Sequence, residues 1–334
     1  MKNKKITLSH GAGGSMTQQL VEELFIKYFH NPILDSQLDS AMLSLKAGRW
    51  AMTTDSFVVK PVFFPGGDIG KLSVCGTIND LAVMGAAPLY LTCSFIIEEG
   101  FDIGDLEIIV QSMNSTARKD GLTIVAGDTK VVERGYCDGV YITTTGLGIV
   151  PNWINYSPSA MQVEDRVIIT APPGAHGLSV FAARNNLGVD PPPQSDCASL
   201  FSLIEPLNSL EVRCMRDPTR GGLAAVLNEL AVKGKKGIKI DESLIPIDST
   251  VAYLMELLGL EPYQLANEGA AVIIVSKKDA ERALEILRGH PLGRKASIIG
   301  KITAEIPGQV LMVTYLGTER IMQMPSGVII PRIC

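Results

Sequence analysis

Cysteine is scarce and unpatterned, six in 334 residues with no C-x-x-C pair, and histidine is scarcer still at four. That spacing excludes a zinc or iron–sulfur site, and the low density excludes a disulfide framework. Long apolar runs are missing too: no stretch reaches the roughly 18 residues that would span a bilayer. Nor is positive charge concentrated. Thirty Lys and Arg against 35 Asp and Glu give a net charge of −5, and the scattered cations exclude a basic face for nucleic acid or anionic membrane. The first residues run into polar Ser9 and His10 without an apolar core, so the expectation is a cytoplasmic, reduced protein without a leader.

What is present is apolar content, 46% against 19% charged, in a length that suits about two domains. From Trp50 to Gly148, β-like runs (Trp50–Thr54, Leu89–Ile97, Thr123–Gly127, Val140–Val150) alternate with a mixed segment, Leu72–Met84, and an amphipathic one, Leu106–Lys119. This rhythm predicts an α/β domain rather than a bundle or a sandwich. A Pro-, Asn- and Ser-rich stretch, Pro151–Glu164, marks a boundary. A second α/β unit follows, with strands at Arg166–Thr170 and Ala271–Val275 and helices after Gly174, after Thr219 and over Asp279–Arg288. The expected division is a Gly-rich segment over 1–40, α/β domains over 41–150 and 151–317, and an extended, unpacked tail over 318–334.

Acidic or amide turns recur just after apolar runs: Thr54-Asp55-Ser56, Asn79-Asp80, Gly127-Asp128-Thr129-Lys130 and Arg216-Asp217-Pro218-Thr219-Arg220. Carboxylates at strand ends suit Mg²⁺, a hard ion that takes oxygen ligands and bridges to nucleotide phosphates. Any one of them alone reads better as a turn or cap; four in one chain favour the functional reading. The turn His10-Gly11-Ala12-Gly13-Gly14 ahead of a helical pattern offers backbone N–H groups to an anion, yet neither a P-loop nor a Rossmann fingerprint is present. Lys130 lies two residues from Asp128, one suited to a phosphate oxygen and the other to a metal. Asn267-Glu268-Gly269 precedes an apolar strand, where Glu268 is either a base or part of a polar turn.

Together these motifs and the ending Pro331-Arg332-Ile333-Cys334 resemble the HypE family of hydrogenase maturation proteins over essentially the whole chain. The acidic and glycine motifs are similar to those of the wider ATP-using superfamily of aminoimidazole ribonucleotide synthetase, selenophosphate synthetase and thiamine monophosphate kinase; the last four residues single out HypE. The resemblance implies a two-domain AIR-synthase-like α/β (α+β) fold. It also implies a homodimer joined through a β-barrel of N-terminal domains, with ATP and Mg²⁺ at the domain and subunit junction. The implied reaction begins when HypF carbamoylates the terminal cysteine. ATP then drives dehydration of the S-carboxamide to a thiocyanate, and the cyano group passes to iron held by HypC–HypD for the nickel–iron hydrogenase.

On that resemblance Cys334, Glu268 and Lys130 carry the chemistry. The nucleotide is bound by His10, Gly11, Gly13, Gly14, Asp55, Asn79, Asp80, Asp128, Thr129, Asp217, Thr219, Arg220 and Asn267, and the metal by Asp55, Asp80 and Asp128. Seventeen residues from Thr318 to Cys334 reach about 55 Å when extended, enough to carry a thiol between sites, and Pro325 and Pro331 stiffen the end. The terminal carboxylate raises the thiol pKa, and Arg332, folded back, lowers it. The other five cysteines are expected to be inert. Two other classes compete: a small-molecule kinase or synthetase of the same superfamily, and a non-catalytic carrier. Selenophosphate synthesis is disfavoured because no cysteine precedes the Gly turn.

Overall fold

The computed structural model describes residues 5–327, 330 and 332–334; Pro331, part of the stiffened ending, lies outside the described residues. Helix α1 (Ser15–Leu20) runs through π-helical turns at Val21–Ile26 into α2 (Lys27–Phe29). Then come β1 (Arg49–Phe57), the small hairpin β2 (Phe63–Phe64) and β3 (Gly67–Asp68), and α3 (Ile69–Val83). The first domain is completed by β4 (Ala87–Glu98), α4 (Ile103–Lys119), β5 (Thr123–Val132) and β6 (Val140–Val150). Its sheet has the order β1-β6-β4-β5 and is antiparallel except for the β4/β5 pair.

The mixed segment of the sequence is α3, a helix buried almost all round. Asp68 caps it by accepting from the N–H groups of Gly70 and Lys71. Close approach on two sides explains its glycines. A Cβ on Gly70 would lie 2.3 Å from the Ile109 carbonyl of α4, and one on Gly76 2.9 Å from the Phe57 ring of β1. Helix α4 is conventionally amphipathic, burying Leu106, Ile109, Val110, Met113 and Ala117. With both helices on one face of the sheet, the other face stays open, and alternate residues of β6 (Tyr141, Thr143, Thr145, Leu147, Ile149) are only half-buried.

The second domain runs β7 (Arg166–Ile169), α5 (Ala175–Asn185), α6 (Phe201–Ile204), β8 (Val212–Arg216), α7 (Gly222–Gly234), β9 (Gly237–Asp241) and α8 (Ser249–Leu258). It closes with β10 (Val272–Val275), α9 (Ala280–Gly289), β11 (Ser297–Thr303), β12 (Val310–Val313) and β13 (Glu319–Ile321). The seven-stranded sheet has the order β13-β12-β9-β11-β7-β10-β8. Val272 and Ile274 of β10 join the core shared with α7, and Ile273 and Val275 the core shared with α9. That two-sided burial is why β10 is an unbroken apolar run in the sequence.

The tail departs from the unpacked form expected of it. Glu319–Ile321 pairs with β12, and Ile330 and Ile333 are buried in a core cluster that joins the first domain to α5 and α8 of the second. Arg332 is bonded to Asp138 at 2.6 Å and donates to the Val58 carbonyl, while Lys60 shares the same carboxylate. Burial of two isoleucines and the two-cation grip on Asp138 fix a segment that lacks any helical period.

Candidate functional site

Asp55 sits on edge strand β1, paired with Thr144, whose hydroxyl meets Thr77 of α3; Asp55 therefore faces the helices. Two residues earlier on the same face, Thr53 donates to Asp80 near the end of α3 at 2.6 Å. Asp217 follows β8, the outermost strand of the second sheet. Behind it, Gly221 and Gly222 both take left-handed conformations, and a Cβ on Gly222 would lie 2.4 Å from the Leu265 carbonyl. That turn brings Thr219 and Arg220 against the first domain.

Glu268 is set by a residue the sequence reading passed over, Asp196. Its carboxylate accepts from the backbone N–H groups of Glu268 and Gly269 and from the Asn267 side chain. Nothing in the sequence marks Asp196 except its place after the Pro191–Pro193 loop. These elements converge on a cavity of about 40 Å³ lined by Asp55, Asp80, Asp217, Thr219, Arg220, Glu268 and Cys334, among others.

Negative charge is crowded there. Burial, reinforced by the Asp80 charge, pushes Asp55 up to about 6 against the pull of Arg220. Burial with Asp80 and Asp55 nearby raises Asp217 to about 7. Glu268, 3% exposed, is raised well above the carboxylate range by burial and then by Asp217, and its Oε1 has no hydrogen-bond partner. Burial and Glu268 push the Cys334 thiol up to about 12, opposed by Arg220. The cation at the thiol is thus Arg220, not Arg332 as expected, because Arg332 is engaged with Asp138 and the Val58 carbonyl.

Other expected ligands are occupied or distant. Asn79 spends its amide on the Ala198 and Glu268 carbonyls and the Leu200 N–H, stitching α3 to the second domain. Asn267 likewise holds Gly174, Pro172 and Asp196. Both are positioning residues in this structure rather than open ligands. Asp128, Thr129 and Lys130 lie on β5, the opposite edge of the sheet from β1, three strand spacings or roughly 14 Å away. Register aligns Asp128 with Ser94, Thr143 and Ser56, on the open face; Lys130 reaches back to Asp128 at 2.7 Å. The turn carrying His10, Gly11, Gly13 and Gly14 also packs on β5, with Gly11 against Val131, while His10 accepts from the Thr7 N–H through Nδ1. Of the metal set, Asp55 and Asp80 come together, Asp217 joins them and Asp128 does not. Among the described residues no three His, Cys, Asp or Glu side chains form a metal-holding group by themselves.

The AIR synthase related protein N-terminal domain matches residues 37–150 and the C-terminal domain residues 162–312. The chain is 47% identical to the carbamoyl dehydratase HypE of Rhizobium leguminosarum bv. viciae, covering 99% of this chain and 96% of that one. With HypE of Escherichia coli K12 the identity is 43%, over 98% and 99%. The chain belongs to the HypE family of carbamoyl dehydratases. A solved HypE in complex with ATP superposes with a TM-score of 0.94 at 42% identity, covering 98% of this chain and 99% of that one. The HypE of a HypE–HypF complex gives 0.81 at 45%, over 92% and 99%. A thiamine-monophosphate kinase from Stenotrophomonas maltophilia shares the fold alone, at 16% identity and a TM-score of 0.66.

Proposed function

We propose that this HypE-family chain uses ATP to convert its S-carbamoylated Cys334 into a thiocyanate, supplying cyanide ligands for the iron of nickel–iron hydrogenase in the cytoplasm. The observation that carries the reading is the Cys334 thiol seated between Glu268 and Arg220 beside three carboxylates. An S-carboxamide loses its oxygen only when that oxygen becomes a leaving group. Transfer of the γ-phosphoryl group of ATP to it supplies one, so that carboxamide and ATP yield thiocyanate, ADP, phosphate and a proton. The Oε1 of Glu268, which has no hydrogen-bond partner, takes an N–H proton as the C≡N bond forms. Arg220 steadies the sulfur and the oxygen leaving from the same carbon.

Asp55, Asp80 and Asp217, although not a complete metal-holding group by themselves, would supply part of an oxygen shell for Mg²⁺: they are oxygen donors only, and they crowd negative charge that a cation relieves. When bound, Mg²⁺ neutralises charge on the transferring phosphoryl group. The Gly turn, Asp128, Thr129 and Lys130 form the complementary half on β5. We infer a homodimer in which β5 of one copy lies beside β1 of the other, which brings the partner's Gly turn and Lys130 alongside each site. HypF is the proposed carbamoyl donor and HypC–HypD the cyanide acceptor.

The test is the mass of the C-terminal peptide after incubation with HypF, carbamoyl phosphate and ATP. The expected sequence is a gain of roughly 43 Da and then, with ATP, a loss of roughly 18 Da, the carbamoyl and water masses. A shift on any other cysteine sinks the reading.

A further inference from the structure

His176 is 0% exposed, at the start of α5, and the reaction as described does not use it. Its Nε2 meets the carbonyl of Ile333, the residue before Cys334, at 2.5 Å, and its Nδ1 meets the Ser195 hydroxyl at 2.8 Å. A carbonyl only accepts, so Nε2 carries the proton and the neutral ring accepts at Nδ1 from Ser195. Ser195 Oγ in turn accepts from the Cys197 N–H at 3.0 Å. The donor directions therefore agree along the whole path, from Cys197 through Ser195 and His176 to the tail.

Between Ser195 and Cys197 stands Asp196, which fixes Glu268 through its backbone N–H. One three-residue segment thus holds the carboxylate proposed as the base and, through one imidazole, the peptide bond that aims the thiol.

We propose that His176 is the positioning residue of the terminal cysteine, gripping the Ile333 carbonyl so that the docked tail and Glu268 are referred to the same segment, Ser195–Cys197. The identity of Cys334 as the reacting thiol rests on the function proposed above; the grip itself does not. The Phe64 ring lies 5.3 Å from the imidazole and nearly perpendicular to it, and the buried site keeps the bond away from solvent.

The test uses full-length protein without nucleotide, partner or metal and follows iodoacetamide alkylation of each cysteine by peptide mass. In His176→Phe the Cys334 rate is expected to rise about tenfold, as befits losing one buried hydrogen bond. His176→Gln, which keeps an N–H donor, should return it to within about twofold of the parent. Ser195→Ala, a smaller change in case His176→Phe does not fold, should give about threefold.

An unchanged Cys334 rate overturns the proposal, and so does acceleration shared by all six cysteines, since that reports general loosening. A second readout takes carbamoylated protein through a single turnover. The rate is expected to fall in His176→Phe with the ATP dependence unchanged, and a parental rate beside faster labelling removes the positioning role. Were the dehydratase reading itself wrong, the parent would not turn over, while the labelling contrast would remain.

Discussion

Glu268 and Cys334 reach the same small cavity from opposite directions, one on a loop fixed by Asp196 and the other on a tail laid over the first domain. Glu268→Gln keeps the shape and removes the base, so single-turnover dehydration of carbamoylated protein should fall at least about 100-fold. A parental rate would take Glu268 out of the chemistry. Asp217 supplies a test by pH. Its folded pKa, about 7, lies above the ordinary carboxylate value. The stability it contributes is therefore complete below that ordinary value and is lost as pH rises towards 7, where the folded chain must release the proton against its neighbours. Asp217→Asn removes that liability. The variant should melt progressively higher than the parent between pH 4 and 8, by several degrees at the upper end, and Mg²⁺ should shrink the gap by stabilising the parent. A melting difference that stays flat with pH would count against the carboxylate cluster.

At the scale of elements, α3 matters most because it delivers Asp80 and Asn79 together. Gly70→Ala puts a methyl group against the Ile109 carbonyl of α4, a clash with backbone that no rotamer relieves, and should cost roughly 1–3 kcal/mol in chemical denaturation. Loss below about half a kcal/mol would mean that α3 and α4 separate freely. The same helix shows what was legible beforehand. Helix α4 announced itself by its 3–4 spacing, but α3 is buried on every side and has no polar face to mark its period. The acidic motifs were legible one by one because each follows an apolar run. Which of them meet was not: strand order and register place Asp55 and Asp128 on opposite edges and faces of one sheet, and neither is written locally. Asp196 and His176 escaped for the same reason, since their partners lie 72 and 157 residues away in sequence.

For the molecule as a whole, two half-sites on the two edges of one sheet make a numerical prediction. On the homodimer proposed above, mixing Glu268→Gln and Lys130→Ala subunits and letting them reassort should restore about a quarter of parental turnover, because half the dimers would be mixed and each would have one intact site. Activity no higher than the two variants alone would place Lys130 in its own subunit's site or outside the reaction. The docked tail has a kinetic consequence of another kind. A carboxamide carried on the same chain as the cavity that transforms it never has to be captured from solution. Once loaded, the protein should react at a rate independent of its own dilution down to the point where subunits part. It should saturate in ATP alone and then stall after a single event, idle until an acceptor strips its sulfur bare.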